Sequence, residues 1–305
     1  MAEPAPRCYD RVVTDSSSRP PKSTRPDSGE VAALKALRGL HPELEDAISL
    51  HVELLELQRR IQGRVSLPLM ELNAQVLARH AAEARPILRF EDIPIDLTDL
   101  RLAVRQTADI LRRFGVLEDA DYQHVQALGR DIRLLTVVGD WYRRPAGHHA
   151  VTGVGGSVAV PDSVPNEAVT QVLALAMRPF LCRCAEALQQ RSELAAWGHP
   201  FCALCAGEPD FSVITPAAER HLICSRCALR WKFEPLTCPY CRNDDRARIT
   251  SFATPDGRYR VYACDVCRRY LKAYDGRRAT RPVMPVVDAV ATLPLDAAAI
   301  QRGYT

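Results

Sequence analysis

No stretch of this chain is an unbroken apolar run near the roughly 18 residues that cross a bilayer as a helix, so membrane insertion is not expected. The opening residues, MAEPAPRCYDRVVTDSSSRPPKSTRP, contain no apolar segment and no twin-arginine pair ahead of one. They do not read as an export signal, and a cytoplasmic location is expected. A surplus of one charge is missing too. Forty Lys and Arg oppose 37 Asp and Glu, a net charge of +3 over 305 residues. Bulk electrostatics of that size do not make a nucleic-acid binder. Nor is there a nucleophile beside a base, a paired-carboxylate motif or a cofactor fingerprint, so no enzyme is expected.

What is present is an ordinary apolar fraction, 47%, unevenly spread, and 11 cysteines. Residues 1–28 are rich in Pro, Ser and Arg and read as a disordered tail carrying Cys8 as an isolated thiol. Residues 29–197 read as a helical domain. Along HPELEDAISLHVELLELQRRI, the residues Leu44, Ile48, Val52, Leu55 and Ile61 recur at helical spacing, with Pro42 suited to a first turn. LTDLRLAVRQTADILRRFG repeats the pattern, with Thr98 as a possible cap and a stop at Gly115. Further helices are expected around 119–143 and 165–194, the last one kinked or split at Pro179. Between them, GVGGS lacks the lysine of a phosphate loop and reads as a connection, and His148 and His149 lack flanking ligands. Cys182 and Cys184, two apart on a helix, project roughly 200° from each other and cannot easily share an ion.

The character changes at residue 198. Over 198–282, short alternating runs such as DFSVIT, RHLIC, ARITSFAT and RYRVYAC suit half-exposed strands. Large aliphatics are few, so such a module needs staples. Four C-x2-C pairs supply candidates: Cys202 and Cys205, Cys224 and Cys227, Cys238 and Cys241, Cys264 and Cys267. A C-x2-C turn presents two thiolates to one ion, and two turns complete a tetrahedral four-sulfur shell. The gaps 206–223 and 242–263 each fit a hairpin that joins its flanking turns. This favours pairing first with second and third with fourth; an interleaved pairing stays open. Such shells take zinc or iron. Closed shells leave a substrate no open position. Arginines and tyrosines from Arg258 to Arg278 cluster beside the last pair. They suit a nucleic-acid surface, a partner surface or a solvated strand face.

The expected fold is therefore α+β: a helical N-terminal domain followed by tandem rubredoxin-like or zinc-ribbon-like four-cysteine β modules. Residues 283–305 are expected to form a helical extension packed on the core. The run HPFCALCAGEPDFSVI, the blocks CSRCALRWKF, CPYC and CDVCRRYLK, and the ending DAVATLPLDAAAIQRGY together resemble the formate dehydrogenase accessory protein family, FdhE. The resemblance is strong over 199–304 and looser over 29–198, where RPILRFEDIPID carries it. It implies a cytoplasmic assembly factor that binds iron through these cysteines, with zinc as the alternative. It also implies contact with the molybdenum- and selenium-containing catalytic subunit of formate dehydrogenase. The family's first turn usually runs C-P-x-C-G, whereas this chain has Ala203 and Ala206 there. Two other readings remain: a zinc-ribbon nucleic-acid binder and a thiol–disulfide oxidoreductase.

Overall fold

The computed structural model describes residues 29–70, 73–144, 166–188, 194, 197–278 and 281–305. The expectations for residues 1–28 with Cys8, for GVGGS and for His148 and His149 lie outside the described residues.

The N-terminal part is built from α1 (Gly29–Leu37), α2 (Glu45–Gln62), α3 (Ala74–Ala82), α4 (Leu97–Arg113), α5 (Asp119–Leu128), α6 (Leu134–Arg143) and α7 (Glu167–Glu186). Helices α2, α4 and α7 pack on one another. Leu57, Ile61, Leu100, Val104, Leu111, Leu173 and Phe180 are almost wholly buried between them. The cap of α4 is Asp96, not Thr98: the Asp96 carboxylate accepts from the backbone N–H of Thr98 (2.8 Å) and Asp99 (3.0 Å). A carboxylate there also complements the positive end of the helix dipole. At the other end Gly115 takes a left-handed φ of 70°, where the helix was expected to stop.

Pro179 does not split α7. Proline removes the donor that would satisfy the carbonyl four residues earlier. Here Gln58 Nε2, from α2, donates to Leu175 O at 3.0 Å and takes over that role. By length and composition α7 could cross a membrane, with a mean hydropathy of 1.2 over its best window. In this structure it is the central core helix, with Val172, Leu173, Met177, Phe180 and Leu181 fully buried.

Six strands follow: β1 (Pro209–Ile214), β2 (Arg220–Cys224), β3 (Arg230–Phe233), β4 (Ile249–Ala253), β5 (Tyr259–Cys264) and β6 (Tyr270–Asp275). They form one sheet in the order β3-β2-β1-β6-β5-β4. Each half is an antiparallel three-stranded meander. The halves join through a parallel pairing of β1 with β6, in which Phe211 faces Lys272 and Ile214 faces Asp275. The second half repeats the first in the same direction: C-x2-C, two strands, C-x2-C, a third strand. The third strands, β3 and β6, were not expected from the sequence.

One apolar core runs from the helices into the first half of the sheet and includes Trp197, Leu204, Leu229 and Trp231 beside the helical side chains. Helices α8 (Pro285–Ala291) and α9 (Leu293–Gln301) complete the chain. Val287 and Val290 of α8 pack against Val31, Leu34, Val52 and Leu55 of α1 and α2. Leu295 and Ala299 of α9 lie against the second half of the sheet.

Candidate metal centres

The structure groups the cysteines as Cys202, Cys205, Cys224 and Cys227, and as Cys238, Cys241, Cys264 and Cys267. Within each group the sulfurs all lie within 4.8 Å of one another. The interleaved pairing is not formed. The nearest sulfur separations are 3.5 Å (Cys202–Cys227) and 3.6 Å (Cys205–Cys224 and Cys205–Cys227) in the first group. In the second they are 3.7 Å (Cys238–Cys267) and 3.6 Å (Cys241–Cys264). A tetrahedron with metal–sulfur bonds of about 2.3 Å has edges of about 3.8 Å. Both clusters can therefore hold a metal ion with little rearrangement.

The same local geometry occurs four times. After each C-x2-C, the next residue adopts a left-handed backbone: Ala206 (φ 56°), Ala228 (57°), Arg242 (62°) and Arg268 (59°). Its N–H donates to the carbonyl of the first cysteine, at 3.0, 3.0, 2.9 and 2.9 Å respectively. The first cysteine's own N–H closes the turn onto Gly207 O, Leu229 O, Asn243 O and Arg269 O. The turn needs an αL residue, for which glycine is least strained, and this chain uses glycine at none of the four. Left-handed backbone costs a non-glycine residue about 1–2 kcal/mol, and glycine's extra freedom when unfolded offsets about 0.4–1 of that. Ala206→Gly and Arg242→Gly should each stabilise the metal-loaded protein by about 0.5–1 kcal/mol. Chemical denaturation would read the gain; a loss at both positions would show that the turns are unstrained. The glycine of CALCAG is needed one residue later. A Cβ on Gly207 would sit 2.6 Å from Cys224 Sγ.

The two clusters differ in their surroundings. All four cysteines of the first are buried, and they belong to the shared core. Backbone N–H groups of Ile87 and Leu88, within RPILRFEDIPID, donate to Ala203 O and Leu204 O between the first two cysteines, both at 2.9 Å. Arg178 of α7 donates to Ser225 O (2.5 Å), and Arg226 to Tyr142 O (3.2 Å), so the second turn is also tied to the helices. Trp231 Nε1 donates to His199 O at 2.9 Å. The second cluster lies in the distal half of the sheet, with Cys241 exposed and Cys267 half-buried. Val266, 51% exposed, stands between its last two cysteines.

Thiol chemistry follows these surroundings. In the first cluster burial raises Cys202 and Cys227, while Cys205 is held well below the usual thiol range by hydrogen bonds from Cys202, Cys224 and Cys227. In the second, burial opposes ionisation of Cys264, but the amides of Cys267 and Val266 together with hydrogen bonds from Cys241 and Cys238 lower the group. Burial pushes Cys267 up to about 11. Burial also pushes Cys182 up to about 11 and Cys184 to about 12, which keeps both as thiols. Cys184 is a core side chain; Cys182 borders a cavity of about 770 Å³ between α1, α2, α7 and the Cys227 turn.

The basic and aromatic cluster beside the last pair is not an exposed stripe. Tyr259 and Tyr274 are buried, as is Lys272, whose ammonium pairs with Asp296 at 2.5 Å. Arg260 and Arg277 both hold the buried carboxylate of Asp275, at 3.0 and 2.7 Å. Arg269 makes a bidentate pair with Glu208 and lies 3.6 Å over the Tyr240 ring. Fold-building contacts consume charges that the sequence left available to a ligand. Arg258, Arg268, Arg277 and Arg278 are exposed, with Arg277 held on Asp275.

No family model matches the chain. A curated protein of Stutzerimonas stutzeri (strain A1501), named Protein FdhE homolog, is 31% identical over 114 residues. That alignment covers 34% of this chain and 35% of the relative, so the match spans about a third of the relative's length. The crystal structure of the FdhE protein from Pseudomonas aeruginosa superposes with a TM-score of 0.52 at 18% identity, over 90% of this chain and 91% of that one. At that identity the likeness is one of fold, and it extends over nearly the whole molecule.

Proposed function

We propose that this chain is a non-enzymatic maturation factor for formate dehydrogenase, acting in the cytoplasm and binding the dehydrogenase catalytic subunit before or during assembly. One observation carries the reading: two closed four-cysteine clusters in a duplicated sheet fused to a helical bundle, in a chain that shares its fold with FdhE and local sequence with an FdhE homologue. The eight cysteines act as metal ligands, with iron as the favoured metal and zinc as the alternative. A four-sulfur shell can hold a shape or pass one electron, but offers formate no coordination position. The first cluster has the placement of a structural site. The second, with Cys241 at the surface, has the placement of one that meets a partner.

Deleting the gene should abolish formate oxidation while leaving the dehydrogenase transcripts intact. A pull-down with the intact protein should recover the catalytic subunit. Anaerobically purified protein should contain about two metal ions per chain. A deletion strain with full formate dehydrogenase activity and no recovered subunit would overturn the assembly reading. The nucleic-acid reading would then be tested by the salt dependence of binding. The ion pairs that consume Arg260, Arg269, Lys272 and Arg277 weigh against it.

A further inference from the structure

Arg220 opens β2 in the first half of the sheet, but its side chain works in the second half. It is buried, 7% exposed. Its guanidinium donates to Thr237 O (2.8 Å) and Glu234 O (3.5 Å), carbonyls of the segment that leads into Cys238. The Tyr262 ring is 5.8 Å away. With Cys238, Tyr240, Tyr262, Cys264 and Leu271, Arg220 lines a small hollow against the second cluster. Among the described residues its hydrogen bonds go to carbonyls alone, and its buried Nε has no partner.

That arrangement is expensive as it stands. A guanidinium does not deprotonate in a protein, and a buried cation without a counter-charge costs several kcal/mol. The other arginine lining the hollow cannot serve the same purpose, because Arg269 is neutralised by Glu208. Four thiolates around a divalent ion carry a net charge of about −2, and around a trivalent ion about −1. Among the described residues no Asp or Glu lines the hollow, so the negative charge that faces Arg220 there is that of the cluster itself. We propose that Arg220 is the internal counter-charge of the second cluster, a positioning residue that favours its most negative, divalent state and retains the metal there. Carbonyl contacts hold the side chain in place, and the low-dielectric hollow keeps water from screening it. This inference rests on the metal-binding reading above.

The test uses the full chain. Iron-loaded wild type, Arg220→Lys and Arg220→Gln are titrated potentiometrically, with the absorbance of the two sites as the readout. Zinc-loaded samples are challenged with a chelator and the release of each ion is timed. Arg220→Gln can still donate to a carbonyl but lacks the charge. It should shift the Fe(III)/Fe(II) equilibrium of one site about tenfold toward Fe(III), about 59 mV for one electron. It should also release one zinc about tenfold faster. Arg220→Lys should stay near wild type in both. A merely structural role predicts that the two variants fail together through lost stability, without a site-selective shift in potential. If Arg220→Gln matches wild type in potential and release, or moves the potential the other way, the proposal is overturned. If Arg220→Gln does not fold, Arg220→Lys decides alone: a folded protein with wild-type potential and zinc release supports the counter-charge, and loss of the fold in Arg220→Lys as well, or a folded Arg220→Lys whose potential or release departs from wild type, rejects it. Wild-type protein that binds no metal at either site would overturn the metal reading itself, an outcome distinct from any of these.

Discussion

Cys224→Ser should unfold much of the molecule, whereas Cys264→Ser should leave the helical part standing. Each removes one ligand, so metal content should fall from about two ions per chain to about one in both variants. The difference lies in what surrounds the ligand. Cys224 is in the same core as α2, α4 and α7, and the turns around it are bonded to residues 87, 88, 142 and 178. Structural four-ligand zinc sites contribute roughly 10–16 kcal/mol in small peptides, and a whole domain's stability is about 5–15 kcal/mol. Loss of the first ion therefore removes an amount comparable with everything that holds the core. Cys264 lies outside that core, in a half of the sheet that α9 and the β1–β6 pairing also support. Far-UV circular dichroism with metal analysis would separate the two. Equal loss of helical signal in both variants would show that the second cluster is as integral as the first. Cys182→Ser should leave metal content unchanged, and Gly207→Ala should behave as a milder Cys224→Ser, since the new methyl would displace a sulfur.

Asp288→Ala should be the most damaging change away from the cysteines. Asp288 is fully buried on α8. Its carboxylate accepts from Tyr259 Oη (2.7 Å), the Arg281 guanidinium (2.5 Å) and the Met284 N–H (2.7 Å). Three elements meet there: β5, the segment entering α8, and α8 itself. Removing one member of a buried ion pair costs about 3–5 kcal/mol, because its partner keeps a buried charge. At this chain length that lowers the melting temperature by on the order of 10 °C. Tyr259→Phe, which deletes one hydrogen bond, should cost only about 1 kcal/mol. Thermal melts of the two variants test the ranking; an Asp288→Ala loss below that of Tyr259→Phe would show that the carboxylate is not the junction. Asp275 adds a pH dependence. Hydrogen bonds from Arg277, against burial and with help from Arg260, hold its carboxyl well below the ordinary range. Its contribution is thus present above the ordinary carboxylate pKa and lost as pH falls toward its lowered folded value.

The two cysteine groups could be anticipated because C-x2-C spacing is local: two sulfurs three positions apart converge only if the chain between them turns back on itself. The main helices could be anticipated because apolar residues recur every third or fourth position. What could not be read depended on distant partners. Pro179 looked like a break because its substitute donor, Gln58, lies 117 residues earlier than the carbonyl it satisfies. Strand β6 was hidden because its charged and aromatic residues suited a ligand surface equally well, and β3 because four residues, RWKF, are too short a run to stand out. Only the fold shows Lys272 turned onto Asp296 and Tyr274 turned inward. The Asp96 cap was missed because Asp96 and Thr98 are both good caps, and only the structure shows which side chain accepts from the first-turn N–H groups. The parallel union of β1 and β6 joins residues some 60 positions apart, as in Ser212 Oγ donating to Lys272 O at 3.0 Å. No local pattern encodes such a contact.

The order β3-β2-β1-β6-β5-β4 places the two halves head to tail, and this kind of union does not close on itself. The two outer edges, β3 and β4, are the counterparts of β6 and β1, the edges that already join. A contact of β4 in one copy with β3 in the next would repeat the β1–β6 union without closing, the geometry from which open-ended fibres arise. The sequence answers with like charge at both ends. Strand β3 carries Arg230 and Lys232, and β4 is entered through Arg246 and Arg248. Lys232 is paired with Glu219 at 2.6 Å, so a head-to-tail encounter brings Arg230 at the end of one sheet toward Arg246 and Arg248 beside the edge of the next, a like-charge approach that opposes growth of the sheet.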